Sequence, residues 1–142
     1  MHVTMSEALT EHESKRFRAE PRAANAARRV VERLEPELGT ERCRSACLLV
    51  TELVANAVVH GSSSPEDTVT VRVCKSPSGV RVGVIDSGPG FEPESRERSA
   101  GLLEGGWGLY LVEQMADRWG VEQGREREVW FELDVEPHGA RQ

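Results

Sequence analysis

From Ala46 to Val59 the chain is apolar at nearly every position: Cys47, Leu48, Leu49, Val50, Leu53, Val54, Ala55, Ala57, Val58 and Val59. Thr40 upstream can cap a helix and Gly61 downstream can stop one, so a helix is expected over 40–60. A helix that is apolar almost all round cannot rest on a surface; it has to be covered. Yet Glu52, Asn56 and His60 fall at four-residue spacing along one edge of it. Burying a carboxylate costs several kcal/mol unless it finds a partner. Either these side chains satisfy one another and nearby backbone, or the stripe faces a ligand. Asn56 offers a hard carbonyl oxygen of the kind Mg²⁺ accepts. Glu52, one turn earlier, is a carboxylate that can take a proton from a hydroxyl attacking a phosphate. His60, a lone histidine at the helix end, suits hydrogen bonding or capping better than metal ligation.

The rest of the chain supplies the cover. Lys15–Glu20 reads as a short edge strand. Pro21 suits a first helical turn, and Ala23, Ala26, Ala27, Val30, Val31 and Leu34 recur at helical spacing over 22–34. Pro36 and Gly39 close that helix. Val69, Val71 and Val73, then Val80, Val82 and Val84, alternate as half-buried strands around a Pro-Ser-Gly turn. Residues 91–108 are rich in Gly, Ser and charge and read as a loop. A helix comes next over 109–119, then strands near Val121 and over 129–135, where Val129, Phe131, Leu133 and Val135 share a face. The expected fold is α/β (α+β): a two-layer sandwich, one mixed, mostly antiparallel sheet with helices on one face. The domain is expected over 14–135, with flexible tails at 1–13 and 136–142.

Two glycine segments carry chemistry. Asp86-Ser87-Gly88-Pro89-Gly90 comes after a strand, and Asp86 shares parity with Val80, Val82 and Val84, which turns its carboxylate toward the helices. A tight turn explains the glycines but not the inward acid. Gly105-Gly106-Trp107-Gly108 runs into Leu109 and a helix start, where free N–H groups and the helix dipole favour a phosphate; a flexible hinge would use the same residues. There is no Gly-Lys-Ser/Thr, no G-x-G-x-x-G after a strand, and no eukaryotic-type protein kinase signature.

Composition narrows the partners. Net charge is −6, with only two lysines, Lys15 and Lys75, and no basic run, against nucleic acid or an anionic membrane. No segment is apolar enough to serve as a signal or to span a bilayer, so a cytoplasmic location is expected. Cys43 and Cys47 lie four apart on one helix face. With Cys74 they read as reduced, packed thiols rather than a metal set.

Taken in order, Glu52-x-x-x-Asn56-Ala57-x-x-His60-Gly61, Asp86-x-Gly88-x-Gly90 and Gly106-x-Gly108-Leu109 resemble the N box and the two glycine boxes of the GHKL ATPases. The chain looks most like the small anti-sigma-factor serine/threonine kinases of that superfamily. Their N-box helix is similar to Leu49–Ala57, their opening strand to Phe17–Pro21 and their closing strand to Val129–Leu133. The resemblance implies the Bergerat ATP-binding fold with ATP and Mg²⁺ as cofactors. Asn56 would hold Mg²⁺, Glu52 would be general base, and Asp86 would receive the adenine amino group. Gly88 and Gly90 would line the nucleotide, with Gly106, Gly108 and Leu109 at the phosphates. Residues 92–105 would form an ATP lid, with Arg96 or Arg98 a phosphate contact and Trp107 near ligand or partner.

The implied activity is phosphorylation of Ser/Thr on a STAS-type antagonist, with a sigma factor as second partner. Members of the family are often dimers joined partly through the N-terminal strand. One departure stands out: the Thr usual near the start of the last strand is missing from Gly124-Arg125-Glu126-Arg127-Glu128-Val129. A non-catalytic ATP- or partner-binding module is the alternative. Neither the transducer domain of an ATPase gate nor the phospho-acceptor hairpin of a full histidine kinase is recognisable.

Overall fold

Valines at alternate positions put one face of the central strands into a dry core and leave the other polar. The computed structural model describes residues 9–61, 66–86 and 108–135. In chain order these form β1 (Thr10–Arg18), α1 (Arg22–Glu32), α2 (Glu35–Leu38) and α3 (Thr40–Asn56). A π-helical turn (Ala57–Gly61) comes next, then β2 (Thr68–Ser76), β3 (Gly79–Asp86), α4 (Gly108–Met115), β4 (Arg118–Gln123) and β5 (Arg127–Asp134). The strands make one sheet in the order β1-β2-β3-β5-β4, and every pairing in it is antiparallel. This is the expected two-layer α+β sandwich.

The register shows how the core is assembled. Val71 sits opposite Val84, and Val84 opposite Val129; Val73 sits opposite Val82, and Val82 opposite Phe131. All five valines and Phe131 are buried, Phe131 completely. Over them lie Ala23, Ala27, Val30 and Val31 of α1 and Leu49, Val50, Leu53 and Val54 of α3, in the same cluster. Helices α1 and α4 both pack against α3, which also reaches β3 and β5. The central helix is thus held from three sides.

Element ends differ from expectation for local reasons. The first strand starts at Thr10, not Lys15. Its side chains are mostly exposed and its ladder to β2, with an irregularity between Glu11 and Glu13, carries it. α1 ends at Glu32, and Pro36 opens the short α2 from within its first turn rather than ending α1. Gly39, not Thr40, caps α3: its φ of 84° is one a side chain would resist, and Thr40 Oγ1 donates instead to Glu35 Oε2 at 2.9 Å. Trp119 belongs to β4, not to the preceding helix. The helix expected to run to His60 is α-helical only to Asn56 and then widens into the π turn. There the Ala57 N–H is shared between the carbonyls of Leu53 and Val54.

The outer face of the sheet carries an ionic lattice. Glu132 is 2% exposed. It accepts Arg81 Nε at 2.8 Å and Arg118 Nε at 2.7 Å. Arg118 also binds Asp134. The Arg81 guanidinium lies over the Trp130 ring, 4.0 Å from its centroid. Trp130 in turn lies against Gly120, where a Cβ would meet Trp130 Cζ2 at 2.6 Å. Glu128 covers Gly83 in the same manner, and burial pushes its carboxyl up, opposed by Arg72.

Candidate functional site

The core side of α3 is sealed, but the opposite side is not. Leu48 is 39% exposed and Val59, in the π turn, 68%, so the helix is not covered all round as its composition suggested. Glu52, Ala55 and Asn56, all half-buried, fall between these two along the same side. The uncovered stripe of the central helix is therefore the stripe that carries the acid and the amide. Nδ2 of Asn56 is buried with no hydrogen-bond partner. A buried amide left unsatisfied is uncommon in folded proteins and marks a place where a further polar group fits. The backbone widens one residue later. π turns inside helices recur at functional positions because the extra residue re-aims the side chains beyond it. The side chain of His60 is outside the described residues.

Asp86 is the last residue of β3 and lies on the helix side, as its parity required. It is 6% exposed. Directly across the β3–β5 ladder is Arg127, also 6% exposed, with Nη2 3.9 Å from Asp86 Oδ2. Burial pulls the Arg127 guanidinium below its usual range, and the Asp86 charge opposes that. The sequence pattern alone, with its last strand starting at Val129, passes over Arg127. The signal is nevertheless there: Arg127 shares odd parity with Val129, Phe131 and Leu133, which puts it on the core face.

Gly108 and Leu109 open α4, which packs on α3. Gly88, Gly90, Gly106, Arg96, Arg98, Trp107 and the lid segment 92–105 lie outside the described residues. A groove of about 710 Å³ opens beside the Leu48 end of that stripe, lined by Arg28, Cys43, Cys47, Leu48, Thr51 and Met115 among others. Asn56 and Asp86 do not line it, so its size does not locate the polar site. The two thiols there are closed in: burial, then the neighbouring Cys47, pushes Cys43 up to about 11. Among the described residues no three His, Cys, Asp or Glu side chains are grouped to hold a metal. The Asn56 side chain carries an amide oxygen, a hard donor of the kind Mg²⁺ accepts.

The histidine kinase-like ATPase domain family matches residues 17–132, most of the chain and all the elements just described except the two ends. The chain belongs to the histidine kinase-like ATPase domain family. An uncharacterized protein of Streptomyces coelicolor is 40% identical over 91 residues, 62% of this chain and 84% of that one. The catalytic domain of the histidine kinase ThkA, in a nucleotide-free form, superposes with a TM-score of 0.53. That likeness has 19% identity and covers 89% of this chain and all of ThkA's domain, so it speaks for the fold alone. As a histidine kinase-like ATPase domain the chain is an ATP-binding regulatory fold. No helix among the described residues is long and apolar enough to cross a membrane.

Proposed function

We propose that this ATPase domain is an ATP- and Mg²⁺-dependent regulatory protein kinase that acts as an anti-sigma factor and phosphorylates Ser or Thr on a STAS-type antagonist. The observation that carries the reading is the uncovered stripe of α3. It presents Glu52 and Asn56, whose Nδ2 is a buried donor without an acceptor, on the side of the helix away from the core. Phosphoryl transfer needs little covalent chemistry from a protein; it needs positioning and charge neutralisation. Bound Mg²⁺ would supply that neutralisation. Asn56 would hold the cation through its amide oxygen. Glu52 would accept the proton of the incoming hydroxyl as its oxygen bonds to the γ-phosphorus and ADP leaves. Asp86 would accept the adenine amino group, and the start of α4 at Gly108 and Leu109 would face the phosphates. Gly88, Gly90 and Gly106 would complete the enclosure.

The test is calorimetric titration with ATP, with and without Mg²⁺, on the wild type and Asp86→Asn, and then labelled Mg-ATP with a panel of STAS-domain proteins and Glu52→Gln. Mg-dependent binding lost in Asp86→Asn, and transfer lost in Glu52→Gln with binding kept, is the expected pattern. Binding without transfer to any STAS protein would remove the kinase assignment. The Thr missing from Gly124–Val129 favours a second reading: a module that binds nucleotide or partner without turnover. In that case Glu52→Gln would leave partner binding and its regulatory effect unchanged.

A further inference from the structure

The acid at the end of β3 does not stand alone. A second polar side chain shares its face, its depth and its position on the neighbouring strand. Asp86 and Arg127 are ladder partners and are equally buried. Side chains directly opposite in an antiparallel pair start about 5 Å apart and project the same way. They therefore present an acceptor and a donor side by side at one end of two adjacent inner strands.

The contact between them, 3.9 Å from Nη2 to Oδ2, is longer than a hydrogen bond. It holds opposite charges together without itself consuming a donor or an acceptor site. A guanidinium has five N–H donors, and a carboxylate has about four lone-pair positions, so each has more hydrogen-bonding capacity than a single contact uses. The pair is also neutral overall, so a neutral heterocycle can approach without stripping water from a lone charge. The Watson–Crick edge of adenine has the complementary pattern: an exocyclic amine that donates, next to a ring nitrogen that accepts.

We infer that Arg127 is the second base-reading residue of this site, donating to the purine ring nitrogen N1 while Asp86 accepts from the adjacent amine. The inference rests on the ATP-binding reading and deepens it: recognition of the base is ionic, shared between β3 and β5. A hydrogen bond from a charged donor to a buried acceptor is worth roughly ten- to hundredfold in affinity.

The experiment is calorimetric titration of the full chain with Mg-ATP and with Mg-1-deaza-ATP, in which the N1 acceptor is replaced by C–H. The wild type is expected to bind ATP at least about tenfold more tightly than the deaza analogue. Arg127→Ala should lose that factor for ATP and no longer distinguish the two. Because the analogue alters the ligand and not the protein, the wild-type comparison stands even where Arg127→Ala folds poorly. Equal binding of both nucleotides by the wild type overturns the inference and leaves the ATP site intact. So does ATP binding by Arg127→Ala as tight as or tighter than wild type, which would make Arg127 a plug over Asp86. Failure of the wild type to bind either nucleotide overturns the ATP reading and the inference together.

Discussion

Replacing Glu132 by Gln removes one negative charge from the outer face of the sheet while keeping the side chain's shape. The carboxylate is 2% exposed and sits between two arginines that bind it at 2.6–2.8 Å. Each charge-assisted hydrogen-bonding partner is worth roughly 1.5–3 kcal/mol. The arginine side chains keep 21% and 32% exposure, so both recover part of this from water when the charge is gone. The net loss should be about 2–4 kcal/mol. A domain of this size shifts by about 3 °C per kcal/mol, so Tm should fall by roughly 6–12 °C in a circular dichroism melt. Because the carboxylate is buried, the fall should persist in about 0.5 M salt, where exposed pairs are screened. A shift under about 2 °C, or one that salt abolishes, would show that Glu132 is solvated in solution and that the lattice contributes little.

Other contacts carry expectations of their own. Gly120→Ala forces Trp130 off its position beneath Arg81; a loss of about 1–3 kcal/mol in urea unfolding is expected, with a change in tryptophan emission, and an unchanged midpoint would refute the packing. Cys43 and Cys47 should react with a thiol reagent at pH 8 only after unfolding, since burial raises both thiols; rapid labelling of the folded protein would contradict their placement. Glu37 is held below its ordinary value of 4.5, chiefly by the hydrogen bond from Lys75. Its contribution is present above that value and is lost as pH falls through the lower, folded-state value. Lys75→Met should therefore flatten the acid limb of the stability curve by a few tenths of a kcal/mol, and an identical limb would discount the pair.

How much of this is legible in the sequence depends on whether a feature is periodic. The valine alternation determines which face of β2 and β3 is dry. The parity of Asp86 with Val80, Val82 and Val84 places its carboxylate on the core side, where it lies. The Glu52–Asn56 spacing puts both on one side of α3, and that side is the open one. Register between distant strands is not legible: nothing local says that residue 127 faces residue 86. Hydropathy alone also misleads on Glu132, which looks like an ordinary solvent-facing acid in an alternating strand but is buried by two arginine side chains crossing it. Leu48 and Val59 mislead for the opposite reason, since apolar residues beside a polar stripe share its exposure. The switch from α to π after Asn56 leaves no mark in the pattern, since the apolar run continues unbroken through Ala57, Val58 and Val59.

The strand order has a consequence for how the chain is made. β3 and β5 are neighbours, yet 40 residues and the whole of α4 and β4 separate Asp86 from Arg127 along the chain. On the ribosome β3 emerges early, with one edge zipped to β2 and the other bare. β4 then arrives without the strand it will pair with. Only when β5 leaves the exit tunnel can it pair with β4 on one side and with the bare edge of β3 on the other, completing the sheet. Long-range insertions of this kind are slow steps. A stalled or truncated nascent chain would hold β1, β2, β3 and the central helix, together with an open edge prone to association. Asp86 would by then have been synthesised, but its buried cation would be missing.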